Sequence, residues 1–293
     1  MESKVIIKET SPLCYLPNGR LVCYRKGEII VMNNGKEEGH FPIRISGKEK
    51  VLGWSRYATR LLRFGVRAAI ALDDEHILLS KGNTIHELDL TNGTLSKGWF
   101  CGEGIRPLIF TEVKGIKGFD DGIYFGGYLG NMDKKPVHIY RRVGADEWQV
   151  VYTFAQGMIN HVHNVVADPY RQCLWIFTGD FGKAAAIWKV TDGFKKVERV
   201  VCNNQKYRAC VVNALPEGLL YATDAPFADD FIYLLDPETM ETKELKRNCQ
   251  SLFQKELMFK LGKKDTFEKW QKSVPHMLAV IRTAKDNNVD IYA

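Results

Sequence analysis

Five times in this sequence an isoleucine sits inside a short apolar run that ends in a turn, and few folds accommodate that recurrence. The residues are Ile30 (GEIIVM), Ile85 (TIHEL), Ile139 (VHIYRR), Ile187 (AIWKV) and Ile232 (FIYLL), spaced by 55, 54, 48 and 45 residues. Turn residues follow each one: Asn34-Gly35, Asn92-Gly93, Gly144-Ala145-Asp146, Asp192-Gly193 and Asp236-Pro237. A second apolar run precedes each one: Leu21–Tyr24, His76–Leu79, Gly122–Phe125, Cys173–Phe177 and Leu219–Ala222. Short β-branched and aromatic runs broken by Gly, Pro, Asn and Asp read as antiparallel strands. A repeat of about 40–50 residues holding four short strands is what a propeller blade requires. The expected fold is therefore all-β, a β-propeller of five to six four-stranded blades.

The stretch Asn160–Gly193 shows one such unit most fully. Apolar runs are expected as strands over Val165–Ala167, Cys173–Phe177 and Ala184–Val190. They are separated by Asp168-Pro169 and Thr178-Gly179-Asp180 and closed by Asp192-Gly193. A fourth strand is expected over Lys196–Cys202. Residues 249–293 depart from this plan. Leu252, Phe253, Leu257, Met258 and Leu261 fit a helical face, and Val274–Asp290 is similar, with Pro275 as a helix start. The expected division is a propeller over 1–248 and a non-repeating, partly helical or irregular segment over 249–293, read as a diverged or truncated last blade.

The chain carries 41 basic and 35 acidic residues, a net charge of +6 spread along the sequence. That suits an acidic glycan or a phosphate-bearing ligand without selecting one, and no nucleic-acid partner is expected. The seven cysteines are odd in number and form no C-x-x-C pair, which points to a reducing compartment with neither a disulfide framework nor a zinc site. No apolar run suits a signal peptide or reaches the roughly 18 residues of a membrane helix. A cytoplasmic protein without membrane insertion is expected.

Propeller geometry then says which residues can meet. The start of each first strand and the loop between strands two and three share one face of a blade. First-strand starts supply Arg67, Arg106, His161, His163 and Arg208; the loops supply Tyr124, Tyr128, Asn131, Asp180, Asp224 and Asp229. Arginine forks hold carboxylates, and aspartates accept sugar hydroxyls. His161 and His163, two apart on a strand, put both rings on one side. No third metal ligand is evident beside them, so neither a metal nor another cofactor is expected.

The runs His161-Val162-His163-Asn164, Asp168-Pro169-Tyr170, Leu174-Trp175-Ile176, Thr178-Gly179-Asp180, Tyr207-Arg208-Ala209 and Tyr221-Ala222-Thr223-Asp224-Ala225-Pro226 resemble sialidase-like (BNR, or Asp-box) propellers associated with bacterial surface-polysaccharide genes. The Asp-box is kept in part at Thr191-Asp192-Gly193 and as a trace at Asp146 and Trp148, where it forms a turn between strands three and four. The resemblance implies a propeller that binds or processes an anionic glycan. Asp180, Asp224, His161 and His163 would be its catalytic residues. Arg67, Arg106, Arg208, Tyr128, Tyr207 and Asn131 would hold the substrate. Tyr128 or Tyr207 would take the place of a tyrosine nucleophile. The chain departs from the pattern at Gly126-Gly127-Tyr128 and at Met158, where a carboxylate is expected. A non-catalytic propeller that binds a glycan or protein partner is the alternative, and a histidine-dependent lyase is a third.

Overall fold

The computed structural model describes residues 10–43, 46–53, 64–225 and 230–247. They form five four-stranded antiparallel sheets, each with its strands in simple sequential order. The first sheet is β1 (Ser11–Tyr15), β2 (Leu21–Arg25), β3 (Glu28–Asn33) and β4 (Lys36–Pro42), followed by a short helix α1 (Gly47–Leu52). The second is β5 (Val66–Ala71), β6 (His76–Lys81), β7 (Thr84–Asp89) and β8 (Trp99–Phe100). The third is β9 (Thr111–Val113), β10 (Gly122–Gly126), β11 (Val137–Gly144) and β12 (Glu147–Phe154). The fourth is β13 (His161–Asp168), β14 (Cys173–Gly179), β15 (Ala186–Thr191) and β16 (Lys196–Cys202). The fifth is β17 (Ala209–Leu215), β18 (Gly218–Thr223), β19 (Phe231–Leu235) and β20 (Thr242–Arg247). This is an all-β fold of the propeller class, with five blades among the described residues. The segment 249–293 and Asp229 lie outside the described residues.

Every marker isoleucine falls on a third strand, and none is more than 7% exposed. A third strand has partners on both edges and packs on both faces, so an unbroken apolar side chain recurs there. Every preceding apolar run falls on a second strand. The first strands add a feature that periodicity does not reveal. Pairing with the second strand skips Leu13 in β1, Arg67 in β5, His163 in β13 and Cys210 in β17. Such bulges break alternation and re-aim the side chains beside them.

By contacts the chain divides into two units. The first takes in the described residues up to Phe110, with Gly127–Leu129 and Tyr140–Val150; the second takes in Thr111–Gly126, Gly130–Ile139 and the described residues from Val151 onward. In the first unit, Val22, Ile29 and Val31 of one sheet pack with Ile77, Leu79 and Leu88 of the next. Glu49 of α1 is buried there. It accepts hydrogen bonds from Tyr24 Oη (2.7 Å) and Gly65 N (3.1 Å) and pairs with Lys81 Nζ at 2.5 Å. Burial raises the Glu49 carboxyl, but hydrogen bonds from Lys81 and Tyr24 and the Lys81 charge outweigh it and hold the group below its ordinary value. A depressed folded pKa stabilises above the unfolded value of about 4.3 and loses that stabilisation as pH falls through the folded value. Lys81→Met is expected to cost about 3 kcal/mol at pH 7, because it leaves a buried charge without its cation. Urea unfolding at pH 7 and at acid pH checks this. Equal stability of parent and variant at both values would remove Glu49 from the account.

In the second unit the first strands β9, β13 and β17 lie side by side. Between the fourth and fifth sheets Trp175, Phe177, Ile187, Tyr207, Tyr221 and Leu235 make a continuous core. Gly126 ends β10 because Val162 fills the space beside it; a Cβ there would lie 2.4 Å from Val162 Cβ. The Gly-Gly step thus marks the close approach of β13.

Candidate functional site

The start of β13, the β14–β15 loop and the start of β17 bring four of the expected residues together in the second unit. His161 Nε2 lies 3.0 Å from His163 Nε2 and 3.2 Å from Asp180 Oδ1. His163 Nε2 is 3.5 Å from the same oxygen, and Arg208 Nη2 donates to it at 3.0 Å. The histidine side chains are almost fully covered (5% and 1% exposed), while Asp180 and Arg208 keep 26% and 13% exposure. Two imidazoles therefore form the floor, and the carboxylate and guanidinium form the side open to solvent.

Local chemistry fixes each member. His163 is the residue skipped in the β13–β14 pairing, so its ring does not follow simple alternation. That ring rests against Gly179, where a Cβ would come within 2.3 Å of Cε1. Asp180 is held by its backbone: its N–H donates to Asn160 Oδ1 (3.3 Å), and its carbonyl accepts from Gln205 Nε2 (2.9 Å). Arg208 leaves the short turn Gln205–Tyr207, and its guanidinium carbon lies 5.4 Å from the centre of the exposed Phe181 ring.

The electrostatics are lopsided. Burial pushes the His163 imidazole below its ordinary pKa; the Asp180 hydrogen bond opposes this, and the charges of His161 and Arg208 reinforce it. His163 is thus neutral near neutral pH. Burial would raise the Asp180 carboxyl, yet hydrogen bonds from both histidines and the positive charges of His161 and Arg208 hold it far below the carboxylate range. Asp180 is a fixed anion and has no proton to give at neutral pH, which removes the general-acid role from it.

The other expected residues sit differently. Asp224 is half-buried; its carboxylate meets the Cys210 thiol at 3.7 Å, and its N–H donates to Arg208 O at 3.0 Å. Burial and then the Asp224 charge push the Cys210 thiol far up, while Arg208 pulls it down. Asn131 does not face a ligand with its amide: its Nδ2 donates to Lys135 O and Asn160 O, and its Oδ1 accepts from Lys135 N. It supports Asn160, which in turn holds Asp180. Tyr207 is 9% exposed and belongs to the core. Tyr124 is not in a loop but inside β10, buried, donating to Asp120 O. Arg106 lies ahead of β9 rather than at its start. It exchanges backbone hydrogen bonds with Tyr128 and holds its guanidinium 5.3 Å over that ring, both in the first unit. Arg67 lies in β5 of the same unit. Asn160, Phe181 and Gln205 also build the site. Asn160 and Phe181 flank His161 and Asp180 in sequence, and that adjacency is the only signal they carry.

A propeller blade pair bearing a clustered His-His-Asp-Arg site is the class that fold and geometry define. No protein-family model and no curated protein matches the sequence. Among solved structures the chain is similar to a calcium-binding protein, regucalcin, of Agrobacterium tumefaciens. That match has 12% identity and a TM-score of 0.53, and it covers 84% of this chain and 77% of that one. It is also similar to the periplasmic gluconolactonase of Pseudomonas aeruginosa, at 12% identity and TM-score 0.52, covering 80% and 68%. At these identities the likeness is one of fold, and the fold is a β-propeller. It carries no specific support for the sialidase or Asp-box resemblance. The box positions themselves form turns between third and fourth strands, with Asp146 and Asp192 at positive φ.

Proposed function

We propose that the second unit binds, and acts on, an anionic sugar or glycan at the His161–His163–Asp180–Arg208 cluster. The observation that carries this is Arg208. Only Nη2 is spent on Asp180; Nε and Nη1 meet no protein acceptor among the described residues. Two buried donor atoms without an acceptor on a partly exposed guanidinium are costly unless an acceptor arrives, and a carboxylate matches its fork. Phe181, 46% exposed over that guanidinium, offers an apolar face to a sugar ring. A separate cavity of about 520 Å³ in the same unit, to whose wall none of the four cluster residues contributes, is lined by Lys134, Lys183, Arg199 and Trp188, with no acidic residue. Its charge favours the same class of ligand. The gluconolactonase neighbour is named for a sugar lactone, which agrees with a sugar-type ligand and adds nothing about residues.

With its Nε2 lone pair unbound, neutral His163 is the group suited to accept a proton. Asp224 remains as the second carboxylate of a glycosidase-like pair. The binding-only reading is favoured by one fact: Asp180 has no proton to donate. His163→Ala and Asp180→Asn are each expected to abolish turnover of an anionic oligosaccharide, with the circular dichroism spectrum unchanged. Arg208→Met is expected to weaken ligand binding by about 1.5–3 kcal/mol, or roughly 10- to 150-fold. Parent-like binding and turnover in all three variants would exclude this cluster as the site. Ligand bound without product would leave the binding-only reading.

A further inference from the structure

Resting on the reading of this cluster as a ligand site, we propose that His161 Nε2, His163 Nε2 and Asp180 Oδ1 form a three-ligand site for a divalent transition metal. The three atoms make a triangle with edges of 3.0, 3.2 and 3.5 Å. Metal bonds of about 2.0–2.2 Å to nitrogen and oxygen place tetrahedral neighbours about 3.4 Å apart, so the triangle needs little adjustment around an ion.

Protons satisfy this triangle only in part. The carboxylate oxygen only accepts, and each Nε2 either donates or accepts. If both imidazoles donate to Asp180, two N–H hydrogens face each other across the 3.0 Å contact. If one donates and the other accepts, at least one edge joins two lone pairs. A cation at the centre turns all three lone pairs into bonds. The surroundings also suit a metal: the histidines are buried and positioned, while the Asp180 side is open. Open positions beside three protein ligands are the pattern of catalytic rather than structural sites.

Donor type narrows the ion. Two imidazoles and a single carboxylate oxygen suit zinc, iron, copper, nickel or manganese; calcium takes six to eight oxygen ligands. The site therefore differs in kind from what a calcium-binding propeller needs. Arg208 shares Asp180 with the metal and lowers its affinity through charge repulsion. The same excess of positive charge would make an anionic ligand the preferred occupant of the open positions. Asn160 and Gln205, which fix the backbone of Asp180, are the outer partners of the site.

The test uses the intact chain, stripped with a chelator and titrated with Zn²⁺ by calorimetry and with Co²⁺ by visible absorption. About one ion per chain is expected, with cobalt bands of coordination number below six. His161→Gln and Asp180→Asn are expected to lower affinity by more than the roughly 10–100-fold that loss of an outer partner costs. His163→Ala should do the same, and the two conservative variants cover the case in which it fails to fold. Free thiols can also bind zinc, so binding that persists unchanged in His161→Gln and Asp180→Asn overturns the proposal, as does an absence of stoichiometric binding. If an anionic sugar binds the stripped chain and no metal does, the metal site falls and the proposed function stands. If the metal binds and no anionic sugar does, the metal site stands and the proposed function falls.

Discussion

Asp168→Ala is expected to lower stability by about 3–5 kcal/mol, because it leaves a buried indole N–H and two backbone N–H groups without their acceptor and breaks the pair with Arg171. Asp168 is fully buried and holds four donors. They are Trp175 Nε1 at 2.8 Å, Tyr170 N at 3.0 Å, Arg171 N at 3.1 Å and Arg171 Nη1 at 3.1 Å. Arg171 continues to Leu215 O and Pro216 O, so one carboxylate ties the turn after β13 to the fifth sheet. Removing it strands an indole N–H on a side chain that is itself 0% exposed and frees an arginine. Asp168→Asn keeps the shape and part of the acceptor set, and a loss between parent and alanine is expected. Denaturant unfolding measures both. A change below about 1 kcal/mol for the alanine variant would mean that this turn contributes no more than an ordinary surface position.

Gly179→Ala is expected to destroy the site through a single methyl group. The added Cβ would lie 2.3 Å from Cε1 and 2.4 Å from Nε2 of His163. The ring is packed on all sides, so it must leave its place beside Asp180 and His161. Overpacking of this kind costs about 1–3 kcal/mol of stability. Contacts as short as those between His163, His161 and Asp180 cannot survive the shift. The diagnostic is a double-mutant cycle with His163→Ala. In that background the methyl has room, and the stability cost of Gly179→Ala should largely vanish, a coupling of about 1 kcal/mol or more. Additive costs would show that His163 does not occupy the space beside Gly179.

The periodic parts of this fold were open to sequence reading because burial on both faces demands apolar residues. The second strands and the isoleucines of the third strands announced themselves in this way. Arg208, Asp180 and the two histidines were also placed on one face, since blade geometry sends first-strand starts and strand-two-to-three loops to the same side. What alternation cannot show is a bulge. It skips His163, and no local signal distinguishes a skipped histidine from a paired one. Asp180 as the partner of both histidines was likewise hidden, because its position depends on Asn160 and Gln205 holding backbone groups far apart in sequence. Asn131 and Tyr207 look like ligand residues by type, yet one spends its amide on backbone and the other packs in the core. Arg106 and Tyr128 meet each other through backbone pairing and a ring contact. Polar residues at a loop read alike in sequence whether they meet a ligand or their own chain.

The central claim is that Arg208 and its cluster recognise negative charge on a sugar. The direct measurement is calorimetric titration of the intact chain with a uronate-containing oligosaccharide and with its carboxyl-reduced, neutral counterpart. Binding of the uronate, weakened in Arg208→Met, and at least tenfold weaker binding of the neutral sugar are expected. Equal affinity for the two sugars, or an Arg208→Met variant that binds the uronate as the parent does, would contradict it.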